Sequence, residues 1–217
     1  MLLEMISLIK TPILMLEFIL LLILPLLFSI AFHELAHGWV AYKFGDITPK
    51  VTGRLTLNPF AHLHPVGTIC LFLFGLGWAK PVLINPDNIK NPTKEMLVAL
   101  AGPLSNFFLA TIFAGLISVL INVCEVASTN FVISIFDAIV SINIALAIFN
   151  LVPIPPLDGS RIVSWMLPKK LKQIYGRIEQ YGVPIMMILM VTVGFAPIFK
   201  IAMIFKYFLY LLLKVNG

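Results

Sequence analysis

Long apolar runs alternate along the chain with short polar segments, and four of these runs are long enough to cross a bilayer. A membrane-spanning helix needs about 20 mainly apolar residues. The four runs cover residues 12–44, 95–121, 131–152 and 183–213. Gly194, Pro197 and Lys200 interrupt the last run, which therefore predicts either one tilted helix or two shorter helices. We predict an all-α polytopic membrane protein, a bundle of about four to six transmembrane helices.

Residues 45–94, between the first and second predicted spans, have a different pattern. This region contains six prolines and short runs with β propensity, such as Val51–Leu57 and Lys80–Ile84. Such runs predict strands or extended loops. Gly67–Trp78 is apolar but too short to span the bilayer comfortably, and non-helical backbone enters a membrane only where protein or water satisfies its polar groups. We therefore predict a β-rich, partly re-entrant insertion packed against the bundle.

The composition agrees with a membrane as the natural solvent. Of the 217 residues, 60% are hydrophobic and only 12% are charged, with a mean hydropathy of +1.02. Soluble domains average about 25% charged residues, so a water-soluble fold would lack polar residues to cover its surface. The length suits a single domain that comprises residues 1–217.

The distribution of lysine and arginine predicts the orientation of the spans. Segment 122–130 has none of these residues. Two groups lie before the second span and after the third: Lys43, Lys50, Arg54, Lys80, Lys90 and Lys94, then Arg161, Lys169, Lys170, Lys172 and Arg177. Short cytoplasmic segments are enriched in such residues, which places 45–94 and 158–180 in the cytoplasm. The net charge of +5 thus indicates a multi-pass protein of the cytoplasmic membrane and no nucleic-acid partner. Nothing in the sequence predicts an oligomeric state.

The strongest chemical signal is the motif His33-Glu34-Leu35-Ala36-His37. Residues four apart share one face of a helix, so His33 and His37 can bind one metal ion. Glu34 lies beside that face and can take a proton from a water molecule at the metal. The motif stands near the inner end of a predicted span, where ionisable groups are costly and usually functional. An interfacial cluster without a metal is the alternative.

Two histidines leave a catalytic zinc site one protein ligand short, because such sites usually have three. The candidates for the third ligand are Asp46, His62, His64, Asp87, Asp137 and Asp158. Asp137 is predicted nearer the outer end of the third span and is too far away. Three prolines stop the helix before Asp158 and bring it out on the same side as the HExxH motif. Asp158 as the N-cap of a helix over 159–167 remains an equal alternative on spacing alone.

Three motifs together resemble the site-2 protease family of intramembrane zinc metalloproteases. They are the HELAH sequence at 33–37, AGPLSN at 101–106 and NLVPIPPLDG at 150–159. The stretches RLTLNP at 54–59 and GWAKP at 77–81 are similar to those of the compact prokaryotic branch, which lacks PDZ and CBS domains. The resemblance extends from about residue 30 to residue 167 and covers the catalytic core.

The resemblance implies that His33, His37 and Asp158 bind one Zn²⁺ per chain and that Glu34 is the general base. It also makes Asn150 a candidate contact for the substrate carbonyl or the developing oxyanion. A cap at the end of the third helix is the alternative role for Asn150.

The same resemblance says less about the remaining polar residues. Relatives of this branch often have Asp at the position of His64, so we assign no catalytic role to His62 or His64. An accessory metal contact and a solvated loop both remain open for this pair. We expect Asn106 to hydrogen-bond between helices and Gly102 to allow close helix packing.

The function implied is hydrolysis of peptide bonds in transmembrane protein substrates, with the active site towards the cytoplasmic side. Two alternatives belong to other classes of protein. One is a metal-ion transporter, although the second and third spans carry few of the polar groups that would line a pathway. The other is a catalytically inert membrane protein that binds metal, for which Glu34 has no purpose.

Overall fold

The first membrane-length helix is continuous but changes its hydrogen-bonding pattern on the way. The computed structural model describes residues 12–65, 67 and 80–215. Helix α1 (Pro12–Phe18) passes through a π-helical turn at Ile19–Ile23 into α2 (Leu24–Lys43). The turn ends where Leu24 N–H donates to the carbonyl of Ile19, and Pro25, which has no N–H, follows at once. A proline and a π-turn are both recognised causes of helix bending, and they coincide here.

The other long elements of the described residues are also helices. The further helices are α3 (Thr48–Val51), α4 (Pro86–Ile89), α5 (Pro92–Asn122), α6 (Phe131–Asn150), α7 (Asp158–Met166), α8 (Lys169–Glu179), α9 (Gly182–Thr192) and α10 (Ala196–Leu212). Among the described residues, three helices are long and apolar enough to cross a membrane: Ile13–Lys43, Pro92–Asn122 and Phe131–Asn150. They correspond to the first three predicted spans and make this a multi-pass membrane protein.

The last predicted span consists of two helices. Helix α9 has 11 residues and α10 has 17, and they are separated by residues 193–195. Gly194 adopts a φ of +72° in this break, a left-handed conformation that favours glycine. The glycine that interrupts the apolar run therefore marks the end of α9. The total number of spans stays a prediction.

The predicted β-rich insertion is wrong for the described residues. In 45–65 and 80–91 the structure contains short helices, turns and one isolated bridge at Leu63, but no strand. Part of the run Val51–Leu57 is instead a turn that follows α3. Helix α3 ends at Val51, and Gly53 turns the chain with a φ of +69°. The β propensity of the run is therefore overridden by the glycine beside it.

The second run with β propensity, Lys80–Ile84, is non-helical but is not part of a ladder. Lys80 N–H donates to the carbonyl of His62 at 2.7 Å, and Pro81 has no N–H to donate. Val82 N–H donates to the side chain of Glu34 at 3.0 Å. The N–H groups of Lys80 and Val82 therefore donate to two different parts of the chain and not to one neighbouring strand, which explains why no strand forms. The predicted re-entrant segment Gly67–Trp78 lies outside the described residues, except for Gly67.

Helix α5 is the centre of the bundle and packs against α2, α6 and α7. Its contact with α6 is made by small residues, Ala110 and Ala114, which lie against Val140 and Ile144. Small residues let helix backbones approach closely, which is how helices pack where water does not drive association. Ala202 of α10 belongs to the same buried cluster. Close packing of α2, α5 and α6 brings polar residues from all three helices together.

Candidate active site

His33 and His37 lie one turn apart on α2 with both side chains buried. Their Nε2 atoms are 3.0 Å apart. His37 Nδ1 lies 2.7 Å from the main-chain oxygen of Val98 on α5. A carbonyl oxygen can only accept, so Nδ1 of His37 must carry the proton. Nε2 of His37 is then left with its lone pair.

The tautomer of His33 is determined by a longer network of hydrogen bonds. Nδ2 of Asn143 donates to the carbonyl of Ile139 at 2.9 Å, which identifies the other amide atom of Asn143 as its oxygen. That oxygen accepts from Nδ2 of Asn106 at 2.7 Å. Oδ1 of Asn106 therefore faces Nδ1 of His33, at 2.5 Å. An amide oxygen accepts only, so His33 also carries its proton on Nδ1 and presents a lone pair at Nε2.

Ser29 completes this network on α2. Asn143 Nδ2 donates to the Ser29 hydroxyl oxygen at 2.8 Å, and Asn106 Nδ2 reaches the Ser29 carbonyl at 3.3 Å. All three side chains are fully buried. Polar groups buried in a membrane protein need internal partners, and here each satisfies another. The network joins the three candidate spans and orients one imidazole.

Asp158 approaches the two histidines from α7. Its Oδ2 lies 3.1 Å from Nε2 of His33 and 3.2 Å from Nε2 of His37. The Asp158 side chain is ionised, as an aspartate is at neutral pH, and its Oδ2 can only accept. It does not cap α7, because Leu157 is the N-cap residue and no side chain bonds there.

Three acceptor atoms thus face one another at close range, an arrangement that repels unless a cation lies between them. Tetrahedral zinc with bonds of about 2.0–2.1 Å holds its ligand atoms about 3.3 Å apart, close to the distances here. Gly102 of α5 provides the space, since a Cβ at this position would collide with Nε2 of both histidines. Among the described residues, His33, His37 and Asp158 are the group that could hold a metal ion. The donor set and its spacing fit zinc.

Glu34 lines the same cavity as these three residues. Its Oε2 accepts the hydrogen bond from Val82 N–H, which fixes the carboxylate at the cavity wall. Asp46 holds the chain segment that contains Val82. The buried carboxylate of Asp46 accepts from the main-chain N–H of Asn85 and from the Asn88 side chain, both at 2.7 Å. Burial would raise the pKa of Asp46, but hydrogen bonds from Thr48, Asn88 and Asn85 lower it.

Asn150 is the last residue of α6 and also lines the cavity. Its Nδ2 donates to the carbonyl of Leu146 in the same helix at 3.0 Å. The C-cap residue of α6 is Leu151, so Asn150 is not the cap at the end of this helix. The role of Asn150 as a substrate contact stays a prediction.

The other candidate ligands lie apart from this cluster. His62 is buried and bonds through Nε2 to the Thr56 carbonyl at 2.9 Å, whereas Nδ1 of His64 accepts from Gly67 N–H. The carboxylate of Asp46 accepts hydrogen bonds from the Asn85 backbone and the Asn88 side chain, as described above. Asp137 is half-buried and bonds to Lys206 of α10 at 2.7 Å.

Several residues of the site carried no clear sequence signal. The carbonyl of Val98, the backbone N–H of Val82 and the Arg161 side chain at the cavity are set by tertiary contacts. Asn143 did have a usable signal, because it is a polar residue inside a predicted span. Such residues generally have a specific partner. The expected interhelical bond of Asn106 is present, and its partners are His33 and Asn143.

A buried histidine pair and a carboxylate, with a glutamate beside them on a membrane-length helix, define the class of membrane metalloproteases. The family model "Peptidase family M50" matches residues 21–123 and 113–193. The chain therefore belongs to peptidase family M50, the site-2 protease family that its motifs resemble, and it is a zinc metalloprotease.

Individual relatives agree with this assignment. YwhC of Bacillus subtilis (strain 168) is 41% identical over 176 residues, which cover 79% of this chain and 80% of that protein. Rip2 of Mycolicibacterium smegmatis is 26% identical over 171 residues, 76% of this chain and 64% of Rip2. MJ0611 of Methanocaldococcus jannaschii is 34% identical over 139 residues, 62% of this chain and 64% of MJ0611. All three are named as putative zinc metalloproteases. A comparison with solved structures found no match.

The space at Gly102 leads to a first prediction. We expect Gly102→Ala to remove bound zinc, from about one per chain to almost none, because the new methyl group would lie 2.3 Å from Nε2 of His37 and 2.5 Å from Nε2 of His33. Metal content of the detergent-purified protein, measured by mass spectrometry, checks this. Gly115→Ala in the same helix is the matched control, since a Cβ there meets nothing within 4 Å. Equal zinc in the two variants would contradict the proposed position of the metal.

The network around Asn106 leads to a second prediction. Asn106→Leu removes the acceptor that keeps the His33 proton on Nδ1, and we expect zinc affinity to fall about 10–100-fold. Asn106→Asp retains an acceptor at that position and should keep affinity near the wild-type value. Competition with a chromophoric chelator measures both. If the Leu and Asp variants bind zinc equally, the hydrogen bond does not orient His33.

Proposed function

We propose that this zinc metalloprotease cleaves transmembrane proteins within the bilayer, the reaction of regulated intramembrane proteolysis. In this proposal His33, His37 and Asp158 bind the zinc, and Glu34 is the general base. One observation carries the proposal. The Nε2 atoms of His33 and His37 lie close to a carboxylate oxygen of Asp158 and beside Glu34. The two histidines and Glu34 are on a helix long enough to cross a membrane.

The chemistry divides between the metal and the side chains. When bound, zinc supplies Lewis-acid activation of the peptide carbonyl and of water. Glu34 takes the proton of the attacking water on its carboxylate and delivers it to the leaving amine nitrogen. The hydrogen bond from Val82 N–H to Oε2 keeps Glu34 turned towards the cavity. Asn150 contributes its amide to the carbonyl oxygen as negative charge develops there.

The substrate must present an unwound segment, because the carbonyls of an intact helix are held in internal hydrogen bonds. Pro81, Val82 and Ile84 line the cavity beside Glu34 in a non-helical segment. We place the unwound segment of the substrate along these residues. The hydrogen bonds that Asn85 and Asn88 donate to Asp46 hold this side of the cavity in place. The substrate then meets a fixed wall.

The third prediction separates chemistry from metal binding. We expect Glu34→Gln to lower cleavage of a transmembrane substrate at least about 100-fold, because the amide cannot take the proton. Its zinc content should stay near that of the wild type. Asp158→Ala is the matched variant, which should lose both zinc and activity. A Glu34→Gln protein that cleaves at the wild-type rate would contradict the role of Glu34.

The fourth prediction concerns orientation. We propose that the active site opens towards the cytoplasm, which the lysine and arginine distribution supports. Cys124 is exposed in the segment between α5 and α6, so a membrane-impermeant maleimide should label it from outside intact cells when Cys70 is replaced by serine. The control is a chain with Gly176→Cys and no other cysteine, which should react only after permeabilisation. The reverse pattern would invert the orientation.

A further inference from the structure

Helix α8 has an apolar face that the described part of the chain leaves uncovered. Leu171, Ile174 and Ile178 are spaced three and four residues apart and so lie on one side of the helix. Their exposed fractions are 49%, 55% and 41%. Tyr175, at the edge of this face, is the one partly buried residue among those of α8 whose burial is described. Three exposed aliphatic side chains in one stripe require an apolar partner.

Positive charge surrounds this stripe. Lys170 and Arg177 lie to one side and Lys172 to the other at helical spacing, and all three are exposed. Glu179 is the single acidic residue of the helix. A helix with an apolar stripe between basic residues is suited to lie in the plane of a bilayer, with the stripe among the acyl chains and the basic groups among anionic headgroups.

The position of α8 along the chain places it at a membrane surface. It follows α6, a candidate span, and α7, which carries Asp158, and it precedes the apolar helix α9. Trp165 and Met166 at the end of α7 are exposed as well. Tryptophan is enriched where a protein meets the membrane–water interface.

We propose that α8 binds the surface of a bilayer that contains anionic phospholipids, and that this contact anchors the segment carrying Asp158. The apolar stripe selects a lipid partner, and the basic residues beside it select negatively charged headgroups. A second copy of this chain would meet the same positive charges on its own α8, which disfavours a self-contact. The binding site is distinct from the cavity that contains Glu34.

Tyr175 connects this surface to the active site. Its hydroxyl donates to the carbonyl of Pro153 at 2.8 Å. Pro153 belongs to the loop between α6 and α7 that leads to Asp158. Gly182, the first residue of α9, packs so closely on Pro155 that a Cβ would lie 2.6 Å from it. The loop is therefore held by Tyr175 of α8 and by the start of the helix that follows α8, and anchoring α8 on the bilayer restrains it.

Spin labels on the two sides of α8 test the surface contact. In a chain whose Cys70 and Cys124 are replaced by serine, Ile174→Cys labels the apolar stripe and Gln173→Cys labels the polar side. The chain is reconstituted in phosphatidylcholine vesicles with or without about 30% phosphatidylglycerol, enough to create a negative surface potential. We expect the label at 174 to become accessible to oxygen and protected from a water-soluble nickel chelate when phosphatidylglycerol is present. The label at 173 should remain exposed to water.

Charge removal supplies the control. Lys170→Gln, Lys172→Gln and Arg177→Gln together should abolish the response of the label at 174 to phosphatidylglycerol. The same loss of charge at exposed Lys43, Lys50 and Lys90 should leave it intact. The proposal is overturned if the label at 174 stays exposed to water, if phosphatidylglycerol has no effect, or if both charge variants behave alike. Dipolar broadening at 174 would also overturn it, because a second copy would then cover the stripe.

The link through Tyr175 has its own readout, which rests on Asp158 as a zinc ligand, as proposed above. We expect zinc loss to a chelator to be several-fold slower in vesicles with phosphatidylglycerol. Tyr175→Phe should remove this difference while the label at 174 still inserts. Equal rates of zinc loss in both lipids for the wild type would overturn the link. The spin-label result does not depend on zinc, so the failure of the ligand assignment and the failure of lipid binding are distinguishable.

Discussion

The hydrogen bonds that hold the Nδ1 protons of His33 and His37 are the interaction on which the site depends. Each imidazole has two nitrogens, and only the lone pair on Nε2 is directed at Asp158. Inside a membrane protein no bulk water can supply the missing partner, so the protein itself must choose the tautomer. The carbonyl of Val98 does this for one ring. A network of side chains ending on a helix carbonyl does it for the other.

Close helix packing makes this arrangement possible. Gly102 brings α5 against both Nε2 atoms, and Gly159 brings the start of α7 against the backbone of Leu151 and Val152. Neither position has room for a Cβ. Because these two glycines have no side chain, the helices can approach closely and still leave a small polar space around His33, His37 and Asp158. Proton transfer and Lewis-acid activation are stronger in such surroundings, because electrostatic interactions are less screened there than in water.

The two sides of the site are held by different kinds of contact. Asp46 holds the segment beside Glu34 through several buried hydrogen bonds, and the network from Ser29 to His33 is buried throughout. Asp158, in contrast, follows a proline-rich loop whose further contacts include Tyr175 of the exposed helix α8. The proposed metal site thus combines two ligands from a packed helix with one from a segment that we propose to be anchored at the membrane surface.

The sequence alone determined the membrane-length helices and the HExxH pair, because hydrophobic length and a spacing of four residues are local properties. It also supplied the resemblance that selected Asp158 from six candidate ligands. It misjudged 51–57 and 80–84, where β propensity was overridden by Gly53 and by single hydrogen bonds to His62 and Glu34. Only the tertiary structure decided the protonation of the two imidazoles, the space at Gly102 and the wall beside Glu34. The interhelical contacts behind these features join residues 37 to 114 positions apart, and such contacts leave no local pattern.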